Sequence, residues 1–393
     1  MNNIIKLGII GIGNMGSTHA KNIKAGKCPD FQITAIADIN KTRLLWAKEQ
    51  DYGENIEFFD NAIEMLDSGL INACLIAVPH YDHTKYAIEC MNRGIHVMVE
   101  KPAGVYTKQV REMNEVAKMH PEVKFGMMFN QRTNCVYRKL KEMVSSGDYG
   151  QIRRTNWLIT TWYRSQFYYD SGDWRATWSG EGGGVLLNQC PHQLDLWQWI
   201  CGMPIKVRAF LHYGKWHDIE VEDDVTAYVE YENGATGVFV TSTGDAKGTN
   251  RLEIQMDKAR FIVEDDELFI DEYEMTEQEF SKVCKDPFGV IKSDFREVET
   301  DGENPRHSGV LNAWADAILR DGKLVADGSE GINGLMLSNA MHLSSFLNDE
   351  IILPLDEDLF YEELMKRVST SKRKENSTVV FADTSNSFDG AKK

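Results

Sequence analysis

Apolar residues fall in short runs separated by amphipathic stretches over the first third of the chain. The runs at 6–10, 32–37, 73–78, 95–99 and 124–129 have the length and continuity of strands buried on both faces. The segments between them, 15–27, 41–50, 83–92 and 108–119, read as helices. Such alternation predicts a doubly wound parallel sheet with helices on both faces. A further helix at 133–146 leads to Gly147-Asp148-Tyr149-Gly150, and there the pattern changes. Runs at 153–162, 206–212, 225–230, 236–242, 252–256 and 260–263 read as strands with few helices between them, and Asn233-Gly234 is a hairpin turn. Helices are expected at 186–200, 309–320 and 330–347. The fold class is α/β: a parallel sheet over 1–130, then an α+β domain with an open, mostly antiparallel sheet over 131–368. The stretch 369–393, rich in Ser, Thr, Asn, Asp and Lys, is expected to be a polar tail.

A length of 393 residues agrees with two domains. The net charge of −17, from 43 basic and 60 acidic side chains, opposes nucleic acid and anionic membrane as partners. The start of the chain lacks the pattern of a secretory leader, and no run has the length of a membrane span. The seven cysteines are scattered and form no C-x-x-C pair, which reads as reduced thiols of a cytoplasmic protein.

Chemistry enters with Gly11-Ile12-Gly13-Asn14-Met15-Gly16, which places G-x-G-x-x-G between a strand and a helix. Gly11 permits the tight turn, Gly13 admits a pyrophosphate to the backbone, Gly16 lets helix and strand pack, and the helix start offers free N–H groups at Asn14 and Met15. Asp38, at the end of the second strand, is placed to accept from a ribose 2′-OH, so the first domain reads as a Rossmann domain binding NAD in preference to NADP. Arg43 is close enough in sequence to soften that preference.

Lys101 follows the run 95–99 in Val99-Glu100-Lys101-Pro102. Pro102 ends the strand, so the lysine is delivered to the carboxyl edge of the sheet, where ligands of open α/β sheets bind. Beside apolar surface and a cationic ring, such a lysine can act as an acid or base near neutral pH. His80 and His83, like His212 and His217, lack a third ligand at useful spacing, so no metal site is expected. Aromatic residues crowd 157–178, with Arg164 and Arg175 among them, as core or as a platform for a sugar ring. The acidic run at 220–224 reads as a solvated turn.

Gly11 to Gly16, Asp38, the segment 79–83, Glu100-Lys101-Pro102 and Gly182-Gly183-Gly184…His192…Asp195 occur in this order, and together they resemble the Gfo/Idh/MocA family of glucose-fructose oxidoreductases and inositol dehydrogenases. The resemblance implies an N-terminal Rossmann domain, a C-terminal domain whose open sheet forms a dimer or tetramer contact, and nicotinamide meeting substrate between them. It implies that Lys101 and His192 are catalytic. It places Pro79, Glu100 and Asn130 around the cofactor, and Arg132, Trp174, Arg175 and Asn188 at the cleft. From the residues themselves, His83 opens a helix beside the cofactor edge as a further cofactor contact, Arg164 is a candidate for substrate hydroxyls, and Asp195, three residues after His192, is placed to orient the imidazole or to bind a sugar hydroxyl. Two positions depart from the family: Asn188 stands where an aspartate is usual, which shifts acid–base work to Lys101 and His192, and His80 stands where an asparagine usually follows Pro79. The implied function is hydride transfer between a secondary alcohol of a sugar, glycoside or polyol and NAD. An NAD-retaining glycosidase or lyase acting through transient ring oxidation, and a non-catalytic NAD-binding sugar sensor, are the alternatives.

Overall fold

The computed structural model describes residues 4–372. Among the described residues the strands form two sheets. The first contains β1 (Ile5–Ile10), β2 (Phe31–Ala37), β3 (Glu57–Phe59), β4 (Ala73–Ile76), β5 (His96–Val99) and β6 (Phe125–Met127), in the order β3-β2-β1-β4-β5-β6. Every pairing in it is parallel. β4 is buried along its whole length, as continuous apolar runs covered on both faces must be. Strand order reverses between β1 and β4, and in open sheets the crevice at such a reversal is the ligand site.

The second sheet contains β7 (Ile152–Ile159), β8 (Lys206–Tyr213), β9 (Glu222–Glu230), β10 (Thr236–Ser242), β11 (Asn250–Met256), β12 (Ala259–Glu264), β13 (Glu267–Tyr273), β14 (Ser293–Glu297) and β15 (Ile351–Ile352). Its order is β14-β13-β12-β11-β7-β10-β9-β8-β15, antiparallel except for the β7–β10 pair. Burial alternates along β9, with Val225, Ala227 and Val229 inward. Trp157, Trp197 and Phe239 form the centre of that inner face, and Trp197 stacks on Phe239 at 5.4 Å between centroids. The indole N–H of Trp197 donates to Thr155 Oγ1 at 2.9 Å. Leu158, Phe210 and Tyr228 are exposed on the other side.

Several details differ from the pattern-based expectation. β3 and the helix Ala62–Asp67 were not anticipated. The helix expected over 186–200 begins at Pro191, because residues 185–190 are held in turns by N–H groups donating to Gly184, Val185 and Glu222. The helix Arg306–Arg320 packs on the first sheet: Trp314 stacks on Phe31 at 5.4 Å, and its N–H donates to the Lys124 carbonyl at 3.0 Å. The first core thus takes a cover helix from far along the chain. The acidic run is not solvated: Glu222 and Asp223 are fully buried and accept from backbone N–H groups of residues 184, 186 and 215–217. Most of the expected polar tail, residues 373–393, lies outside the described residues; of its start, Ser371 and Lys372 are bonded to Glu220.

Candidate active site

The glycine turn closes over the sheet's switch point. Gly11 has φ +90°, and a Cβ there would lie 2.5 Å from the Ala77 carbonyl oxygen. A Cβ on Gly16 would lie 2.0 Å from the Gly11 carbonyl oxygen, so only hydrogen fits where helix and turn touch. Gly13 is different: the nearest atom a Cβ would meet is an Arg43 guanidinium nitrogen at 3.8 Å. Gly13, Asn14 and Met15 are half-buried, and no side chain caps the start of the helix Asn14–Lys24. Uncapped first-turn N–H groups beside open space fit a pyrophosphate. Asp38 accepts from Ile12 N–H at 2.9 Å and Asn40 N–H at 2.8 Å, which fixes its carboxylate against the turn with lone pairs left for ribose hydroxyls. These residues therefore fit a dinucleotide.

β5 delivers Glu100 and Lys101 to the same edge. Glu100 is buried and meets His19 Nε2 at 2.6 Å. Burial alone would raise its carboxyl pKa; the His19 hydrogen bond and charge overcome this and bring it to about 2. Lys101 donates through Nζ to the Asn188 carbonyl at 2.9 Å, across 87 residues of sequence. Burial lowers the Lys101 pKa, Glu100 and Glu181 oppose that, and Arg164 and Arg175 reinforce it. His192 is buried with neither ring nitrogen hydrogen-bonded. Burial and then the Lys101 charge hold its pKa well below the usual imidazole range, so it stands as a neutral acceptor beside the lysine. Asn130 is also buried, its Nδ2 against His307 Nδ1 at 3.4 Å and its Oδ1 without a partner. Buried polar atoms seldom lack partners, so the bare atoms of His192 and Asn130 make this a candidate ligand site.

Around this centre the aromatic segment forms a ladder with the arginines. The Arg175 guanidinium lies 4.6 Å from the Trp174 ring and 4.7 Å from that of Tyr168, and the Arg164 guanidinium lies 5.2 Å from the same Tyr168 ring. Trp157, Tyr169 and Trp178 are core. Pro79 is exposed at the end of the turn after β4, and His80 beneath it meets the Glu181 carbonyl at 3.3 Å.

Two expected contacts take other roles. His83 is buried with Nδ1 2.6 Å from the Pro102 carbonyl and Nε2 2.7 Å from that of Val78. Its ring is a staple between the turns after β4 and β5, not a cofactor contact. Asp195 receives the fork of Arg132 at 2.6 and 2.8 Å and the Gln198 amide at 3.1 Å, with 1% exposure. Its carboxylate is spent on holding the helix Pro191–Cys201, not offered to a hydroxyl. His19, His307 and Glu181 join the site without having been singled out. The first lies one helical turn beyond Gly16 and Glu181 directly precedes the glycine run, which were the available signals; His307 had none.

Residues 5–127 match an oxidoreductase family with an NAD-binding Rossmann fold, and residues 137–262 match the GFO/IDH/MocA C-terminal domain. The myo-inositol 2-dehydrogenase of Thermotoga maritima is 26% identical over 268 residues, 66% of this chain and 75% of that protein. The rhizopine catabolism protein MocA of Rhizobium meliloti is 26% identical over 201 residues, half of this chain and 57% of that protein's length. In structure, the WlbA dehydrogenase of Chromobacterium violaceum, solved with NADH and UDP-GlcNAcA, has a TM-score of 0.76 and 25% identity, covering 90% of this chain and 97% of its own. A dinucleotide cradle in one half and the facing α+β half thus match two parts of one family in the same order, and the chain belongs to the Gfo/Idh/MocA family of NAD-binding oxidoreductases.

Proposed function

We propose that this protein is a dehydrogenase acting on a secondary alcohol of a sugar, glycoside or polyol. The observation that carries the reading is the bond from Lys101 to the Asn188 carbonyl, which brings an amine of lowered pKa from the cofactor sheet against the other half of the chain, beside His192. Gly11, Gly13, Asn14, Met15, Gly16 and Asp38 hold the cofactor, with Pro79, Glu100 and Asn130 at its nicotinamide end. NAD, when bound, supplies the hydride acceptor. Lys101 Nζ holds the reacting hydroxyl and takes its proton, and neutral His192 accepts from the same or the adjacent hydroxyl. Asn188 and the arginines on the aromatic ladder, Arg164 and Arg175 with Trp174, orient the remaining hydroxyls. The segment 1–130 joined by the helix Arg306–Arg320 forms the cofactor half, and the remainder of 131–368 supplies the substrate half.

The test is a screen for NADH absorbance from NAD+ across inositols, free sugars and glycosides. NADH forming one-to-one with substrate consumed is the expected result. Release of an aglycone with no net NADH would overturn it in favour of an NAD-retaining lyase. The exposed Leu158, Phe210 and Tyr228 on the uncovered face of the second sheet support a homo-oligomer formed through that face. Light scattering on the purified protein is expected to give a dimer or tetramer, and Phe210→Lys to shift it toward monomer.

A further inference from the structure

From residue 180 to 198 every residue is buried except Asn188, which is half-buried. Its backbone carbonyl accepts from Lys101 and its side-chain Nδ2 donates to Oε1 of Glu181. Glu181 is 2% exposed, and its Oε2 accepts from Ala176 N–H at 2.6 Å. Burial raises the Glu181 pKa, with the nearby Glu222 in the same direction, while Arg175 and the two hydrogen bonds oppose it by favouring the carboxylate.

The charged groups facing Lys101 are Glu100 and Glu181 on one side of the balance and Arg164 and Arg175 on the other, and the rings of His80, His192 and His307 and the Cys190 thiol lie within reach of its charge. Glu100 is already paired, with His19 on Oε1 and the Lys101 backbone N–H on Oε2. Among the described residues Glu181 has no histidine, lysine or arginine as a hydrogen-bond partner; it meets the site through the Asn188 amide. With one N–H of Nδ2 held by Glu181, the Asn188 amide keeps its second N–H and Oδ1 for a substrate hydroxyl.

We propose that Glu181 is a positioning residue of the proton site: through its bond from Nδ2 it fixes Asn188, whose carbonyl holds Lys101, and so places an acidic side chain one residue away from the lysine. The proposal rests on the dehydrogenase reading for its meaning in turnover, but the titration of Lys101 itself does not. An opposite charge nearby favours the ammonium form, so removing it lowers the lysine pKa. Oxidation needs the free amine, so the acid limb of kcat/KM moves to lower pH; reduction needs the ammonium, so its alkaline limb moves the same way.

The experiment compares the full-length wild type, Glu181→Gln and the double variant Glu181→Gln/Asn188→Asp, which moves the carboxylate one hydrogen bond along toward the cleft. Lys101 is titrated directly by the pH dependence of its modification by trinitrobenzenesulfonate, mapped by mass spectrometry, alongside Tm and NAD binding. In Glu181→Gln the Lys101 pKa is expected to fall by about one unit, with KM raised and NAD affinity kept. The double variant is expected to recover most of that shift. An unchanged Lys101 titration in a folded, NAD-binding Glu181→Gln protein would overturn the proposal. Should that variant not fold, a double variant titrating well below wild type would do the same. A wild type that forms no NADH with any alcohol would instead sink the dehydrogenase reading and leave the Lys101 titration as a separate result.

Discussion

Lys101→Met is expected to lower turnover by about two orders of magnitude or more while NAD binding stays within a few-fold of wild type. Methionine keeps much of the length and the apolar stem, so β5 and the turn at Pro102 are left intact. What disappears is the amine that bridges to Asn188 and that lies near His192. His192 cannot take over alone: its buried ring is a weak base, held well below its usual pKa, so the proton would have to leave to a poor acceptor. The glycine turn and Asp38 make no hydrogen bond to Lys101, so the dinucleotide cradle should survive. Titration of tryptophan fluorescence with NADH separates the two quantities, and steady-state NADH formation reads the first. Near-normal turnover in this variant would remove Lys101 from the chemistry.

That Lys101 was visible in the chain at all follows from its local setting. A strand ended by a proline fixes where the preceding side chain goes without any long-range information. The glycine turn and Asp38 were visible for the same reason, since a few residues of contiguous sequence encode the geometry. The first sheet was legible because continuous apolar runs alternate with helical periodicity, but β3, only three residues long and half-buried, gave no such run. The second half was read less well. Glu222 and Asp223 resemble a hydrated turn in sequence and are in fact buried clamps on the backbone of the glycine run and the 215–217 loop. Glu181, His19 and His307 owe their roles to neighbours 80 or more positions away or to a turn of irregular chain, and no local pattern announces those contacts. Asp195 is a related case: its spacing from His192 is legible in the chain, but its bond from Arg132, 63 residues earlier, is not.

That partnership supports the second large effect, on stability. Arg132 and Asp195 have side chains 2% and 1% exposed and meet through a two-pronged bond, with the guanidinium also reaching Glu330 at 2.7 Å and lying over the rings of Phe129 and Trp199. Asp195→Ala leaves that guanidinium buried with one of its two carboxylates gone, and breaking a buried pair from one side costs about 3–5 kcal/mol. Chemical unfolding followed by circular dichroism is expected to show a loss near the lower end of that range, because Glu330 still compensates part of the charge. Arg132→Met strands the Asp195 carboxylate with only the Gln198 amide for company, and should lose at least as much. The double variant Arg132→Met/Asp195→Ala leaves no charge of the pair on either side and is expected to be less destabilised than the sum of the singles, since the interaction energy is lost only once. Additive losses would mean that the pair contributes nothing beyond two separate side chains. The functional consequence follows from geometry. Arg132 sits just after β6 and Asp195 lies one helical turn beyond His192, so the ion pair ties the helix carrying His192 to the sheet that presents Lys101. Conditions in which Asp195→Ala remains folded should therefore still show a raised KM with NAD affinity preserved, the signature of a histidine whose support has loosened and not of a damaged cofactor site.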